Sequence, residues 1–172
     1  MKNNNNYKLY SCKRLVEDKI LEEPLMKFIE QYIPEKLFNL NFPYIKLHGD
    51  LWSSNILIEK DTNDIYYIDW ENSNEYIFTY DLCFIMWNEA NVKNKYDALH
   101  KYLFGEYDLY LNKIFKIFGI EFEPNYRLGY FSIFFLNYMN YRTNDFKELD
   151  MLTTYITRFD NALNGIDYLN IN

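Results

Sequence analysis

The order of apolar and polar positions divides the chain into three textures. From Glu22 onward, Leu25, Phe28, Ile29 and Ile33 recur at three- and four-residue intervals, with Pro24 suited to a first helical turn and Pro34 to a stop. That spacing predicts an amphipathic helix and then a short turn through Phe38. The stretch from Pro43 to Trp70 reads differently. Tyr44-Ile45-Lys46-Leu47 is a short β-rich run ending at His48-Gly49-Asp50, and two further runs cover 55–59 and 65–69. Between these two lies Lys60-Asp61-Thr62-Asn63-Asp64, which supplies turn chemistry, so the pattern predicts a loop followed by a β-hairpin. Beyond about Glu75 the periodicity is helical, with helices expected near 75–90, 94–118, 125–142 and 145–168. Gly119 and Pro124 punctuate one gap, and Asn144 is placed to cap the last helix. The expected fold is α+β and mostly helical, a small hairpin on a helical body.

Composition supports a folded chain. Of 172 residues, 49% are hydrophobic and 20% aromatic, far from the signature of disorder. The length suits one domain spanning 1–172, with the Asn3–Asn6 tract expected to be a frayed, disordered terminus over residues 1–6. The formal net charge is -7, and no basic run exceeds Lys13-Arg14, so a nucleic-acid backbone finds no electrostatic footprint. The acidic balance favours cationic partners, metal ions or amines. The start has no apolar stretch of a signal peptide, and the longest apolar runs, 82–87 and 130–136, fall far short of a membrane span. Two widely spaced cysteines, Cys12 and Cys83, make neither a disulfide framework nor a zinc site. A soluble, cytoplasmic protein with reduced thiols is the expectation.

Chemistry concentrates between residues 48 and 71. Asp50 and Asn55 are five residues apart, and Asp69 follows fourteen after Asn55 across the predicted hairpin. A carboxylate at the end of a strand can accept a proton from a hydroxyl nucleophile. An amide oxygen on the same loop, with a carboxylate folded back beside it, can seat one hard cation, because magnesium takes oxygen ligands. Read one at a time, these residues are unremarkable: a lone His48 is more often structural than catalytic, and Asp81 alone reads as a helix surface or cap residue.

Together they resemble a known arrangement. Asp-x-x-x-x-Asn followed by a hairpin and an acidic residue is similar to the catalytic loop and metal Asp of protein kinases. The lead-in His48-Gly49-Asp50-Leu51 resembles the aminoglycoside phosphotransferase and choline kinase superfamily. Ile68-Asp69-Trp70-Glu71, with Tyr80-Asp81-Leu82 ten residues later, is similar to bacterial choline-kinase-like members. Asp50-Leu51-Trp52-Ser53 also resembles fructosamine kinases, which lack the Trp-Glu pair. The strong match covers about 47–82.

That resemblance implies a protein-kinase-like C-lobe and an ATP- and Mg2+-dependent transfer of phosphate to a small hydroxyl-bearing or amino-alcohol substrate. It makes Asp50 the catalytic base and Asn55 and Asp69 the metal ligands. His48 would brace the loop, Asp81 would hydrogen-bond its backbone, and Glu71 would support the metal or face the substrate. Trp52 and Trp70 are candidate substrate contacts. A wider aromatic cage for a quaternary ammonium group would add Trp87, Tyr138 and Tyr141. Helical spacing explains Phe131, Phe134, Phe135 and Tyr138 as core without any ligand, and His100 has no partner pattern.

One part of the family pattern is missing. No glycine precedes Gly49 and none is followed by Lys, so neither a Gly-rich phosphate loop nor a P-loop is present. The segment before His48 reads as helix rather than a nucleotide-gripping β-lobe, and an absent N-lobe is expected. Three readings stay open: a shortened kinase, one part of a split kinase whose N-lobe comes from another chain or a homodimer mate, and a non-catalytic binding module. A two-metal phosphoesterase is excluded, since such sites draw on several histidines and this chain has two.

Overall fold

The computed structural model describes residues 7–17, 21–143 and 146–166. The expected frayed tract at 1–6 and the expected cap at Asn144 lie outside the described residues. The elements in order are β1 (Lys8–Ser11), α1 (Cys12–Val16), α2 (Glu23–Tyr32), α3 (Glu35–Asn39), β2 (Asn41–Leu47), β3 (Ile56–Ile58), β4 (Ile65–Tyr67), β5 (Asn74–Ile77), α4 (Tyr80–Lys93), α5 (Asp97–Leu103), α6 (Asp108–Ile117), α7 (Arg127–Arg142) and α8 (Leu149–Gly165). Single 3-10 turns occupy Ser53–Asn55, Trp70–Asn72 and Pro124–Tyr126. The architecture is α+β and mostly helical, as the apolar pattern predicts.

The core is built around α7. Every residue from Gly129 to Met139 is buried, the mark of a helix enclosed on all sides rather than laid on a surface. Helices α1 to α5 pack on it, and α8 closes the far side against α2 and α4. Aromatic rings do much of the filling. Phe159 of α8 sits 4.6 Å from Phe135 and 5.2 Å from both Phe28 and Tyr32, centroid to centroid. Such tilted and edge-on pairs satisfy the ring quadrupoles while burying large area.

A three-stranded antiparallel sheet, ordered β1-β2-β5, lies beside this bundle, and β3 and β4 form a separate hairpin. Strand β5 departs from the sequence expectation, and β1 lies in a stretch that the apolar pattern leaves unassigned. Residues from about 75 were expected to open a helix; instead Tyr44 pairs with Ile77 and Leu47 with Asn74. Four residues are too few for a period of 2 to separate from one of 3.6, and the partner strand decides. The same holds for β1, which pairs Lys8 with Tyr44 and Ser11 with Asn41. The expected helix at 94–118 is two helices. Gly105, at φ +89, turns the chain between them, and a Cβ there would lie 2.7 Å from Arg127, which is paired with Asp108.

One buried polar bond ties the sheet to the central helix. The Tyr44 hydroxyl donates to Asn137 Oδ1 at 2.5 Å, and Asn137 Nδ2 donates to the Ile133 carbonyl at 2.8 Å. Burial pushes the Tyr44 hydroxyl well above its ordinary pKa, so it stays a donor. Tyr44→Phe strands an amide oxygen in the core and is expected to cost about 2 kcal/mol in urea unfolding. Tyr44→Phe combined with Asn137→Leu removes both polar partners and should recover part of that loss. A double variant weaker than the sum of the singles would refute the pairing.

Candidate active site

Strand β2 delivers the chain into a tight turn at His48-Gly49-Asp50, and α4 holds that turn from behind. Asp81, in the first turn of α4, accepts the backbone N–H of His48 through Oδ2 and that of Gly49 through Oδ1, both at 2.9 Å. A carboxylate is favoured there by the helix dipole as well. His48 is 1% exposed and uses both ring nitrogens. Its Nδ1 accepts the Asp50 N–H at 3.3 Å, which leaves the ring proton on Nε2, 2.7 Å from the Ile68 carbonyl. The imidazole therefore joins the His48-Gly49-Asp50 turn to the segment after β4 that carries Asp69. Trp70 leans on it with ring centroids 4.7 Å apart and donates its own N–H to the Tyr67 carbonyl.

Asn55 closes the loop. Its Nδ2 donates to the Asp50 carbonyl at 2.9 Å, and its Oδ1 has no hydrogen bond among the described residues. The backbone carbonyl of Asn55 accepts the Ile68 N–H at 3.1 Å, the bond that sets the base of the β3–β4 hairpin. At the hairpin tip Asn63 takes a left-handed conformation at φ +59, and the Thr62 hydroxyl bridges Glu59 and the Asp64 N–H. One residue past Ile68, Asp69 also has left-handed backbone, φ 64 and ψ 60, with an exposed side chain. Asp tolerates that region better than most residues, at some strain, and such outliers gather at functional sites.

Hydrogen bonds thus link His48, Asp50, Asn55 and Asp81 around one turn, and the Ile68 bond to Asn55 leaves Asp69 one residue beyond it in the chain. Glu71 lies on the turn after Asp69, exposed and without a polar partner among the described residues. Trp52 is half-buried under Lys93, whose ammonium is 5.8 Å from its ring; Lys93 also contacts the Ser53 hydroxyl and the Glu89 carboxylate. The wider aromatic cage is corrected. Trp87 is 0% exposed, packed 4.7 Å from Phe135, and Tyr138 is buried as well, so neither lines an open cage. Packing explains both, because α4 and α7 turn these rings toward each other. Tyr141 is exposed and accepts a bond from Asn74 Nδ2 at 2.7 Å. His100 stacks on Phe104.

One residue escaped the sequence reading. Arg142, in the last turn of α7, places a guanidinium nitrogen 3.5 Å from Asp50 Oδ1, with the Tyr138 ring 5.7 Å beneath it. Ninety-two positions separate it from Asp50, and no motif marks it.

The donor set fits a hard cation. Asn55 Oδ1 and the Asp69 carboxylate offer oxygen donors, the kind magnesium takes, and magnesium is usually held by one or two protein oxygens together with water and phosphate. Among the described residues no group of three or more His, Cys, Asp or Glu side chains could hold a metal. Both cysteines are buried, and burial pushes the Cys12 thiol up to about 12. No helix among the described residues is long and apolar enough to cross a membrane.

A mostly helical α+β body that presents a His-Gly-Asp turn and an Asn–hairpin–Asp return defines a kinase-like class of protein. The model of the ecdysteroid kinase-like family matches residues 7–119, and the chain belongs to that family. Its sheet, hairpin and α4 to α6 all fall within the match. No curated protein and no solved structure matches the chain.

Proposed function

We propose that this chain carries the base-and-metal half of an ATP- and Mg2+-dependent phosphotransferase acting on a hydroxyl of a small molecule. Asp50 takes the hydroxyl proton, and Asn55 and Asp69 are the residues that would hold the metal, which when bound neutralises charge on the nucleotide phosphates. His48 and Asp81 keep the loop in shape. Amino alcohols of the choline type, aminoglycosides and other hydroxyl-bearing metabolites are candidate substrates, with Trp52 and Trp70 the candidate contacts and Glu71 near the metal side. The whole of residues 1–172 would act as one C-lobe, in a cytoplasmic setting. The observation that carries this reading is the Ile68–Asn55 backbone bond, which returns Asp69 to the loop that holds Asn55.

The test is calorimetry of the nucleotide with and without magnesium. The wild-type chain should bind Mg-ATP weakly, in the millimolar range or somewhat tighter, and Asp69→Asn should weaken that binding by about 100-fold while keeping the left-handed backbone. Binding indifferent to magnesium or to this change would reject the assignment.

A second reading has its own observation. On the hairpin Leu57, Ile58, Ile65, Tyr66, Tyr67 and Ile68 are between 40% and 63% exposed. An isolated two-stranded hairpin is marginal in water, so apolar residues on both of its faces favour a partner layer. An N-lobe borne on another chain, or a second copy of this chain, is the corresponding partner for a split kinase. A non-catalytic module that kept the loop would show the same partner without a nucleotide requirement. Light scattering after size exclusion separates these readings from a monomer.

A further inference from the structure

The phosphotransferase reading leaves a charge without a partner. As the hydroxyl oxygen forms its bond to the terminal phosphorus, the bond from that phosphorus to the bridging oxygen breaks and the departing ADP keeps the electron pair. The hydroxyl proton passes to Asp50, and negative charge is spread over the three equatorial oxygens of the moving group. Preorganised positive charge at that place is commonly the largest source of rate. The loop 48–55 contains no Lys or Arg. Lys93, which reaches Ser53 in that loop, is engaged by Glu89 as well.

Resting on that reading, we infer that Arg142 is a catalytic residue, reaching from the end of α7 to bind the transferring phosphoryl group. Position is the first argument. A base lies roughly 2.6–3.2 Å from the oxygen it deprotonates. The phosphorus lies roughly 3–3.5 Å beyond that oxygen in a near-attack arrangement. A guanidinium already 3.5 Å from Asp50 Oδ1 is therefore within one side-chain adjustment of the equatorial oxygens. The second argument is how the group is held. The Tyr138 face lies beneath it and Asp50 beside it, and the Asp50 contact is long and made by a single nitrogen. No other hydrogen bond to the fork is formed among the described residues, which leaves donors for a second oxygen pair, the geometry in which Arg exceeds Lys. The pair is also partly screened from water, with side chains 38% and 25% exposed. A pair formed only for stability would gain more from two parallel bonds than from one long one.

The experiment compares full-length wild type, Arg142→Gln and Arg142→Lys by calorimetry. The probes are Mg-ADP alone and Mg-ADP with aluminium fluoride, a mimic of the moving phosphoryl group. Fluoride should tighten ADP binding to wild type by tenfold or more. Arg142→Gln should lose that increment and Arg142→Lys should regain part of it, with melting temperatures unchanged. Equal tightening in wild type and Arg142→Gln overturns the inference and leaves the phosphotransferase reading standing, as does wild type that binds Mg-ADP without any response to fluoride. Wild type that binds no Mg-ADP overturns both.

Discussion

Gly49→Ala is expected to destabilise the protein by about 4 kcal/mol, a large share of the 5–15 kcal/mol that holds a domain together. Two costs combine. Gly49 has φ +80, a conformation that strains any residue with a Cβ. The added carbon would also lie 2.4 Å from the Asn72 carbonyl oxygen and 2.6 Å from Cε2 and the hydroxyl of Tyr76. Neither neighbour can retreat cheaply. The Asn72 carbonyl accepts the Tyr76 hydroxyl at 2.9 Å, and Tyr76 is itself buried, stacked 4.2 Å from Tyr80. Overpacking alone costs roughly 1–3 kcal/mol, and the backbone strain adds a similar amount. Relief would have to move the 70–72 turn, which directly follows Asp69. Urea unfolding should therefore show the loss of stability, and calorimetry should show loss of magnesium-dependent nucleotide binding in whatever fraction stays folded. A variant within about 0.5 kcal/mol of wild type would mean the turn and Asn72 do not meet so closely.

The same turn shows what a sequence can and cannot display. The hairpin was legible because its signals are local: β-rich runs at 55–59 and 65–69 enclose five turn-formers, and the strands form at 56–58 and 65–67. The Glu23–Tyr32 helix was legible for a similar reason, an apolar stripe bounded by two prolines. Strands β1 and β5 were not, because a four-residue strand carries no period of its own. Each exists through β2, which lies between them and pairs with both. The motif spacing directed attention to Asp50, Asn55 and Asp69 but could not show that Asp69 adopts left-handed backbone. Arg142 illustrates the larger gap. Which face of α7 meets the loop depends on how the whole aromatic core packs, and no stretch of sequence near Asp50 encodes that.

The hydrogen bonds of the site explain why its parts should respond together. His48 bonds to the carbonyl of Ile68, Asn55 to the carbonyl of Asp50, and the Ser73 hydroxyl to the carbonyl of Leu47, the last residue of β2. Each bond crosses between the loop or strand before the hairpin and a position five or more residues away. A disturbance at any of them is transmitted to the carboxylates at 50 and 69, because the backbone between is short and turned.

Asp81→Ala tests the anchor of this unit and is expected to cost about 3 kcal/mol. Asp81 receives two backbone N–H groups, those of His48 and Gly49, and both residues are buried. Removing the carboxylate leaves both donors without a partner, at roughly 1–3 kcal/mol for each unsatisfied group. His48 Nδ1 cannot take over, since it already accepts from Asp50. Asp81→Asn should fall between wild type and Ala: its carbonyl can serve one N–H, while its amide nitrogen faces the other donor. Thermal unfolding gives the order of the three proteins. Hydrogen exchange gives the location, because the amides of His48 and Gly49 should lose protection in Asp81→Ala well before those of α7. If exchange at those two amides stays at the wild-type rate, the α4 carboxylate is not what holds the turn, and the bonds of Asp50 to His48 and Asn55 must position it instead.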